Sequence, residues 1–234
     1  NRKNEICKIA LDLQVPPLFN SLALVEKNGW KVVARKQLLP TYDVFDERRY
    51  FRPAESPAVL DFERNGNLCR IGLTICEDLW VEEELQGRRL AGPDPIAKLL
   101  PKKIDLLINL SASPFGHSKE ALRQRLVAKA AKRLRCPVIY LNQVGGNDEL
   151  IFDGASFVTD AQSKLALKLP SFREEITLWD PTNETTQLLP SSRETLEARL
   201  LWPQDLRKSK FPSMRCRLLE FMSPQPTSSM TFSP

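Results

Sequence analysis

The sequence contains little of what common catalytic and metal centres require. It has one histidine, His117, among 234 residues. A Cys–His or Ser–His–Asp arrangement would depend on that residue alone, and its place between a loop and a helix favours a loop or capping role. The five cysteines are scattered and none stands in a C-x-x-C pair, which argues against zinc and iron–sulfur sites.

Long apolar runs and targeting patterns are also missing. No run of about 18 apolar residues exists, so we expect no transmembrane helix, and the first residues do not form a signal peptide. The net charge is +5, but both signs are mixed along most of the chain, which argues against a nucleic-acid partner. Unpaired cysteines suit a reducing compartment, so we expect a cytoplasmic protein. Together, these features predict neither a membrane nor a nucleic-acid partner.

The hydrophobic patterns predict an α/β layered fold with a mixed sheet. Two strand-like runs flank Asn28-Gly29, a favoured hairpin turn, and a second hairpin turns at Asn65-Gly66-Asn67. The near-continuous apolar run "IDLLINLSAS" predicts a central strand. "HSKEALRQRLVAKAAKRLR" predicts an amphipathic helix. Its basic residues are expected to form a solvated face: Arg123, Arg125, Lys129, Lys132 and Arg133.

The composition changes after Asp180. The remaining residues are rich in Pro, Ser and Thr and lack clean periodicity. We therefore expect residues 1–180 to form the folded domain, and residues 181–234 to form a linker and a disordered tail.

One cysteine stands at the end of a strand-like run. "IGLTICEDLW" places Cys76 at the strand tip, followed at once by Glu77 and Asp78, whose charges discourage a thiolate. Either Cys76 fills a core, or a nearby cation offsets the acids and the thiol does chemistry. Lys36 continues the apolar phase of Trp30, Val32 and Ala34 and is the natural cation, although strand-end lysines often extend to water.

Four long blocks together resemble a known family. They are "RKQLLPTYDVFDERRYF" (35–51), "IGLTICEDLW" (71–80), "INLSASPFGHSK" (108–119) and "YLNQVGGNDELIFDGASF" (140–157). In this order they resemble the glutaminase domain of glutamine-dependent NAD+ synthetases, a branch of the nitrilase (carbon–nitrogen hydrolase) superfamily. The resemblance covers roughly residues 19–180. It implies a nitrilase-type four-layer α-β-β-α sandwich and a Glu–Lys–Cys catalytic triad.

The resemblance also implies roles for individual residues. Cys76 matches the nucleophile that attacks the side-chain amide of glutamine, and Lys36 matches the lysine that stabilises the thiolate and the oxyanion. Glu47 resembles an additional acid that positions this lysine. Five residues match the substrate pocket, with packing or surface roles as the alternative: Tyr42, Phe45, Glu77, Ser113 and Lys119.

The implied activity is glutamine hydrolysis through a cysteine thioester. In the family, the ammonia passes to a second domain that uses ATP and Mg²⁺ to convert nicotinic acid adenine dinucleotide to NAD+, and the enzymes form large homo-oligomers. We expect no cofactor in this chain itself. Two alternatives stay open: a stand-alone amidase of the nitrilase superfamily, and an inactive remnant that only binds or assembles.

Two expected segments have no match. The family's triad glutamate, the general base, lies in an F-P-E segment upstream of the first hairpin. Glu5, in "KNEICKI", lacks that context and is not assigned. The S-G-G-x-D-S pyrophosphate loop of the synthetase domain is missing after Asp180, and the chain does not begin with Met. We therefore expect an N-terminally truncated fold and an enzyme that is incomplete on its own.

Overall fold

The computed structural model describes residues 17–64, 66–87 and 92–180, and the backbone of 186–189. The strands in these residues are β1 (Ser21–Glu26), β2 (Gly29–Arg35), β3 (Ala58–Arg64), β4 (Asn67–Ile75), β5 (Leu106–Ser111), β6 (Val138–Asn142), β7 (Val144–Asn147), β8 (Leu150–Asp153), β9 (Phe157–Thr159), β10 (Leu165–Lys168), β11 (Ile176–Trp179) and β12 (Thr186–Leu189). The α-helices are α1 (Glu83–Gln86), α2 (Pro95–Leu99) and α3 (Lys119–Leu134), and single 3₁₀ turns lie at Glu47–Arg49, Cys76–Leu79 and Leu100–Lys102.

A six-stranded mixed sheet forms the centre of the fold, with strand order β10-β9-β6-β5-β4-β3. Strands β4, β5 and β6 are parallel to one another, and β3 and β9 pair antiparallel with β4 and β6. The central position predicted for "IDLLINLSAS" is confirmed, since β5 lies between β4 and β6. Because β4, β5 and β6 run in the same direction, their carboxyl ends meet at one edge of the sheet.

Each face of the sheet is covered by a different layer. Helices α2 and α3 pack on one face, where Leu99 and Val127 join Leu107 in one core cluster. The hairpin β1–β2 packs on the other face, where Leu22 and Ala34 join a second cluster with the sheet residues. The layers follow the order helix, sheet, hairpin. This layering confirms the predicted nitrilase-type α/β sandwich.

The first hairpin differs in detail from the prediction. Glu26 pairs with Gly29, so the turn consists of residues 27 and 28, and Gly29 begins β2 with a φ of +141°. A bulge also interrupts the register after Leu22. The apolar phase of the second strand-like run predicted four residues on one buried face. Ala34 and Lys36 are buried as predicted, but Trp30 and Val32 are exposed because only the base of the hairpin is covered.

Helix α3 forms where its periodicity predicted, but one of its basic residues is not solvated. Arg123 is only 1% exposed and forms an ion pair with Asp153. Arg125 and Lys132 are exposed, as predicted. Lys129 and Arg133 instead pair with acids of the α1 and α2 region: Glu82, Glu84 and Asp94.

Two further features concern the predicted tail and the membrane. Strand β12 pairs with β11, while residues 190–234, where most of the predicted tail falls, lie outside the described residues. Among the residues that the structure describes, no helix has the length and apolar character needed to cross a membrane.

Candidate active site

A pocket opens at the sheet edge where β4 and β5 end, with a volume of about 200 Å³. The eight residues singled out from the sequence all line it: Lys36, Tyr42, Phe45, Glu47, Cys76, Glu77, Ser113 and Lys119. Asn20 and Trp80 also line the pocket and were not predicted. The chain thus brings together residues from the hairpin layer, the central sheet and the loop after β5.

Cys76 follows β4 directly and begins the 3₁₀ turn Cys76–Leu79. Its φ is +46°, a left-handed value that costs an L-residue free energy and that recurs at functional sites. The side chain is partly buried and borders the pocket. Cys76 thus stands at a sharp strand-to-turn elbow at the tip of β4, where its thiol borders the cavity.

The electrostatic surroundings of Cys76 favour the neutral thiol. Burial raises its pKa most, the charge of Lys36 lowers it, and the charges of Glu77 and Glu47 raise it again, with a net pKa above the usual value. The charge of Lys36 therefore opposes the effect of the acids on the pKa of Cys76, as expected from the sequence, but it does not offset the effect of burial. A reaction at this sulfur requires a group that removes the thiol proton.

Lys36 is held by a buried ion pair. Its Nζ lies 2.6 Å from Oε1 of Glu47, and the lysine side chain is only 2% exposed. Asn20 supports the pair, because its Nδ2 donates to Oε2 of Glu47 over 3.3 Å and its carbonyl accepts the Lys36 N–H over 2.9 Å. A buried ammonium requires such a partner, since an unpaired charge in this environment is very costly.

A second carboxylate, Asp78, is almost completely buried beneath the site. Its Oδ1 accepts the backbone N–H groups of Gln37 and Leu38, and its Oδ2 accepts that of Ile75. Burial raises the pKa of Asp78 to about 6, although these hydrogen bonds and Lys36 act in the opposite direction. The sequence named Asp78 only as a neighbour of Cys76.

The pocket also holds groups of opposite charge. The Tyr42 hydroxyl donates to the Glu77 carboxylate at 2.9 Å, and the Tyr42 ring contacts Phe45 edge-on. Lys119 lies across the same pocket, with a pKa lowered first by burial and then by the charge of Arg123. An acid and an ammonium in one small cavity are complementary to a ligand that carries both charges.

Ser113 is fixed by a buried polar network. Arg123 donates from Nε to the Ser113 hydroxyl over 3.2 Å and from Nη2 to the Ser113 carbonyl over 2.9 Å. Asp153 accepts two bonds from Nη1 of Arg123, and Asn142 accepts the Ser113 N–H over 2.8 Å. Sequence reasoning missed these three partners, although Asn142 and Asp153 lie inside the fourth block of the family resemblance.

The two carboxylates that line the described pocket are both engaged in hydrogen bonds. Glu47 binds Lys36, and Glu77 binds Tyr42. Both carboxylates also lie near Cys76, since their charges raise the pKa of its thiol. Glu5, which the sequence left unassigned, lies outside the described residues.

Comparisons with known proteins agree on one family. The model of the carbon–nitrogen hydrolase family matches residues 10–190. The glutamine-dependent NAD(+) synthetase of Synechocystis sp. is 44% identical over 161 residues, which cover 69% of this chain and 28% of that protein. The enzyme of the same name from Thermotoga maritima is 40% identical over 159 residues, which cover 68% of this chain and 25% of that protein.

A solved structure agrees with these relatives. The glutamine-dependent NAD+ synthetase of Acinetobacter baumannii, in complex with ADP, superposes with a TM-score of 0.54 at 30% identity. The match covers 74% of this chain and 33% of that one. The chain thus spans about a quarter of the length of the curated relatives that it matches.

Proposed function

Because the chain belongs to the carbon–nitrogen hydrolase family, we propose that its pocket hydrolyses the side-chain amide of glutamine with Cys76 as the nucleophile. The observation that carries the proposal is that Cys76 stands at a strained elbow in the same pocket as the buried Lys36–Glu47 ion pair. A cysteine beside a fixed ammonium in a small cavity suits nucleophilic attack on a carbonyl carbon.

In the first half-reaction, the sulfur of Cys76 attacks the amide carbon and the carbonyl oxygen becomes an oxyanion. Lys36 stabilises this oxyanion, because its charge is already in place and needs no reorganisation at the moment of reaction. The C–N bond then breaks, ammonia leaves, and a γ-glutamyl thioester remains on Cys76. The proton removed from the thiol is returned to the leaving nitrogen.

In the second half-reaction, water attacks the thioester carbon and releases glutamate and the free thiol. Both half-reactions need a general base, which typically contributes about 10²–10⁴ in rate. Glu47 and Glu77 are committed to Lys36 and Tyr42. In the family the base is a triad glutamate upstream of the first hairpin, so we place the proton transfer on a group other than Glu47 and Glu77.

The charged residues of the pocket account for substrate choice. Glu77, supported by the Tyr42 hydroxyl, would bind the α-ammonium of glutamine, and Lys119 would bind its α-carboxylate. Ser113 is fixed by Arg123 and would contribute a hydroxyl at the same end. Phe45 packs against Tyr42 and would cover the methylene carbons. This arrangement favours a free amino acid over a simple aliphatic amide.

We further propose that the chain serves as the glutaminase module of a glutamine-dependent NAD+ synthetase. The 44% identity to the Synechocystis enzyme and the ADP-bound structural relative support this reading. The ammonia would pass to a synthetase domain that uses ATP and Mg²⁺ to amidate nicotinic acid adenine dinucleotide. Homo-oligomer formation remains part of this proposal.

The experiment is a substrate comparison with a matched blank. Purified chain and its Cys76→Ser variant are incubated with L-glutamine, L-asparagine or acetamide, and both ammonia and, with added hydroxylamine, γ-glutamyl hydroxamate are measured. We expect slow formation of both products, from glutamine only and only with Cys76, because the family's triad glutamate has no match in the sequence. Preference for acetamide would indicate a stand-alone amidase, and product formation by Cys76→Ser would overturn the assignment of the nucleophile.

A further inference from the structure

The two central residues of the site come from different layers of the fold. Cys76 follows β4 of the central sheet, whereas Lys36 follows β2 of the covering hairpin. Covalent geometry therefore does not fix the distance between the thiol and the ammonium. It depends on contacts that join the hairpin layer to the sheet at this edge.

Asp78 makes such a contact with both segments at once. Oδ1 accepts the N–H of Gln37 at 2.9 Å and that of Leu38 at 2.8 Å, immediately after Lys36. Oδ2 accepts the N–H of Ile75 at 3.1 Å, immediately before Cys76. Asp78 itself is 1% exposed. One carboxylate thus connects the backbone beside the lysine to the backbone beside the cysteine.

Only a carboxylate can complete this set of bonds. Its two oxygens accept all three N–H groups, whereas an asparagine has one acceptor oxygen and would turn its NH₂ group toward a donor. The burial of this charge is unfavourable, as the raised pKa of Asp78 indicates. A buried charge is weak evidence for stability. The best-attested role of buried polar and charged groups is to fix one relative placement of two segments.

We propose that Asp78 is a positioning residue that ties the strand end at Lys36 to the turn at Cys76 and so sets the place of the ammonium relative to the thiol. Its importance for turnover rests on the proposed function, but the geometric effect does not. Asp78 touches neither reacting atom, and it acts through the backbone on either side of the site.

The proposal predicts the sign of a change in the Cys76 thiol. Lys36 lowers the pKa of Cys76, while Glu77 and Glu47 raise it. If the connection through Asp78 is lost and Lys36 moves away, the pKa of Cys76 rises. If Asp78 were only a neighbouring negative charge, its neutralisation would lower the pKa of Cys76 instead.

The test measures iodoacetamide alkylation of Cys76 against pH in the full chain, with peptide mapping and without glutamine. We expect Asp78→Asn to move the alkylation midpoint upward by about one pH unit, which is a tenfold lower thiolate population below the midpoint. The matched control is Asp105→Asn, since Asp105 accepts the Arg70 N–H over 2.8 Å near the opposite end of β4. This control should leave the midpoint unchanged.

A second variant, Asp78→Glu, keeps the charge but displaces the carboxylate by one methylene. Positioning predicts an upward shift here too, whereas a purely electrostatic role predicts none. An unchanged or lowered midpoint in folded Asp78→Asn overturns the proposal. Failure of both variants to fold also overturns it, because Asp78 would then be a requirement of the fold. A chain that does not use glutamine but shows the upward shift contradicts the proposed function alone.

Discussion

Lys36 and Glu47 form an ion pair of 2.6 Å between the end of the hairpin layer and the 3₁₀ turn Glu47–Arg49. The ammonium is nearly sealed from solvent, while the carboxylate keeps 18% of its side chain exposed. The pair therefore holds a positive charge at a defined place inside the pocket. A charge fixed in this way can stabilise an oxyanion without rearrangement.

The first prediction concerns the charge of Lys36. Lys36→Met should lower kcat for glutamine by about 10²–10³-fold, the usual effect of losing one oxyanion donor. Lys36→Arg should not restore the rate, because a planar guanidinium does not replace a compact ammonium. Steady-state ammonia release measures both variants. The control is Lys31→Met, since Lys31 lies on β2, shortly before Lys36, but forms an exposed pair with Glu26. A Lys36→Met rate within a few-fold of the parent removes Lys36 from the mechanism.

The second prediction concerns Glu47. Glu47→Gln leaves the buried ammonium of Lys36 without its carboxylate, so the free energy of unfolding should fall by up to about 3 kcal/mol. Urea unfolding measures this change, and the same variant should lose most of its glutaminase rate because Lys36 is no longer held. Asp61→Asn, which disrupts an exposed pair with Arg70, should leave the free energy of unfolding nearly unchanged. Equal effects of the two variants would contradict the role given to Glu47.

The third prediction is a pH dependence that arises from Lys119. Its pKa is lowered by burial and by the charge of Arg123. A lysine is charged below its pKa, so a lowered pKa means that the ammonium is lost at a lower pH than usual. The KM for glutamine should therefore rise in the alkaline range, at pH values where an ordinary lysine is still charged. Lys119→Arg should flatten this rise; a KM independent of pH in the parent enzyme would exclude Lys119 as the carboxylate-binding group.

The fourth prediction concerns the network around Arg123. Arg123→Met leaves Asp153 as a buried, unpaired charge and should cost about 3–5 kcal/mol of unfolding free energy. Arg133 lies on the same helix and forms two more exposed ion pairs, with Glu82 and Asp94, so Arg133→Met should cost less, about 1 kcal/mol for each exposed pair at most. Thermal and urea unfolding compare the two variants. Similar losses would mean that the buried pair contributes no more than the outer one.

The sequence predicted those parts of the fold that depend on local chemistry. Asp94 caps α2 by accepting the Ala97 N–H, and Pro95 follows at the first helical position, a local pattern typical of a helix start. The helical spacing of apolar residues in α3 and the apolar run of β5 likewise indicate which faces of these elements are buried. Such patterns record local preference and average burial, which is why they succeeded.

The errors arose where a distant partner or a register change decided the outcome. The burial of Arg123 depends on Asp153, thirty residues away, and no helical pattern contains that information. The bulge after Leu22 is likewise a pairing feature of two strands. The residues of the site came from motif resemblance, whereas the roles of Asp78 and Asn20 required the backbone contacts themselves.

The most direct test of the central claim is covalent labelling with a diazo-ketone analogue of L-glutamine, followed by peptide mapping of the full chain. Cys69 and Cys136 are each 3% exposed and lie in the core clusters, whereas Cys76 lines the pocket, so neither buried thiol should compete for the reagent. We predict a single adduct on Cys76, prevented by excess L-glutamine but not by D-glutamine and absent from Cys76→Ser. Equal labelling of Cys69, Cys76 and Cys136, or labelling of Cys76 that L-glutamine does not prevent, would contradict the account.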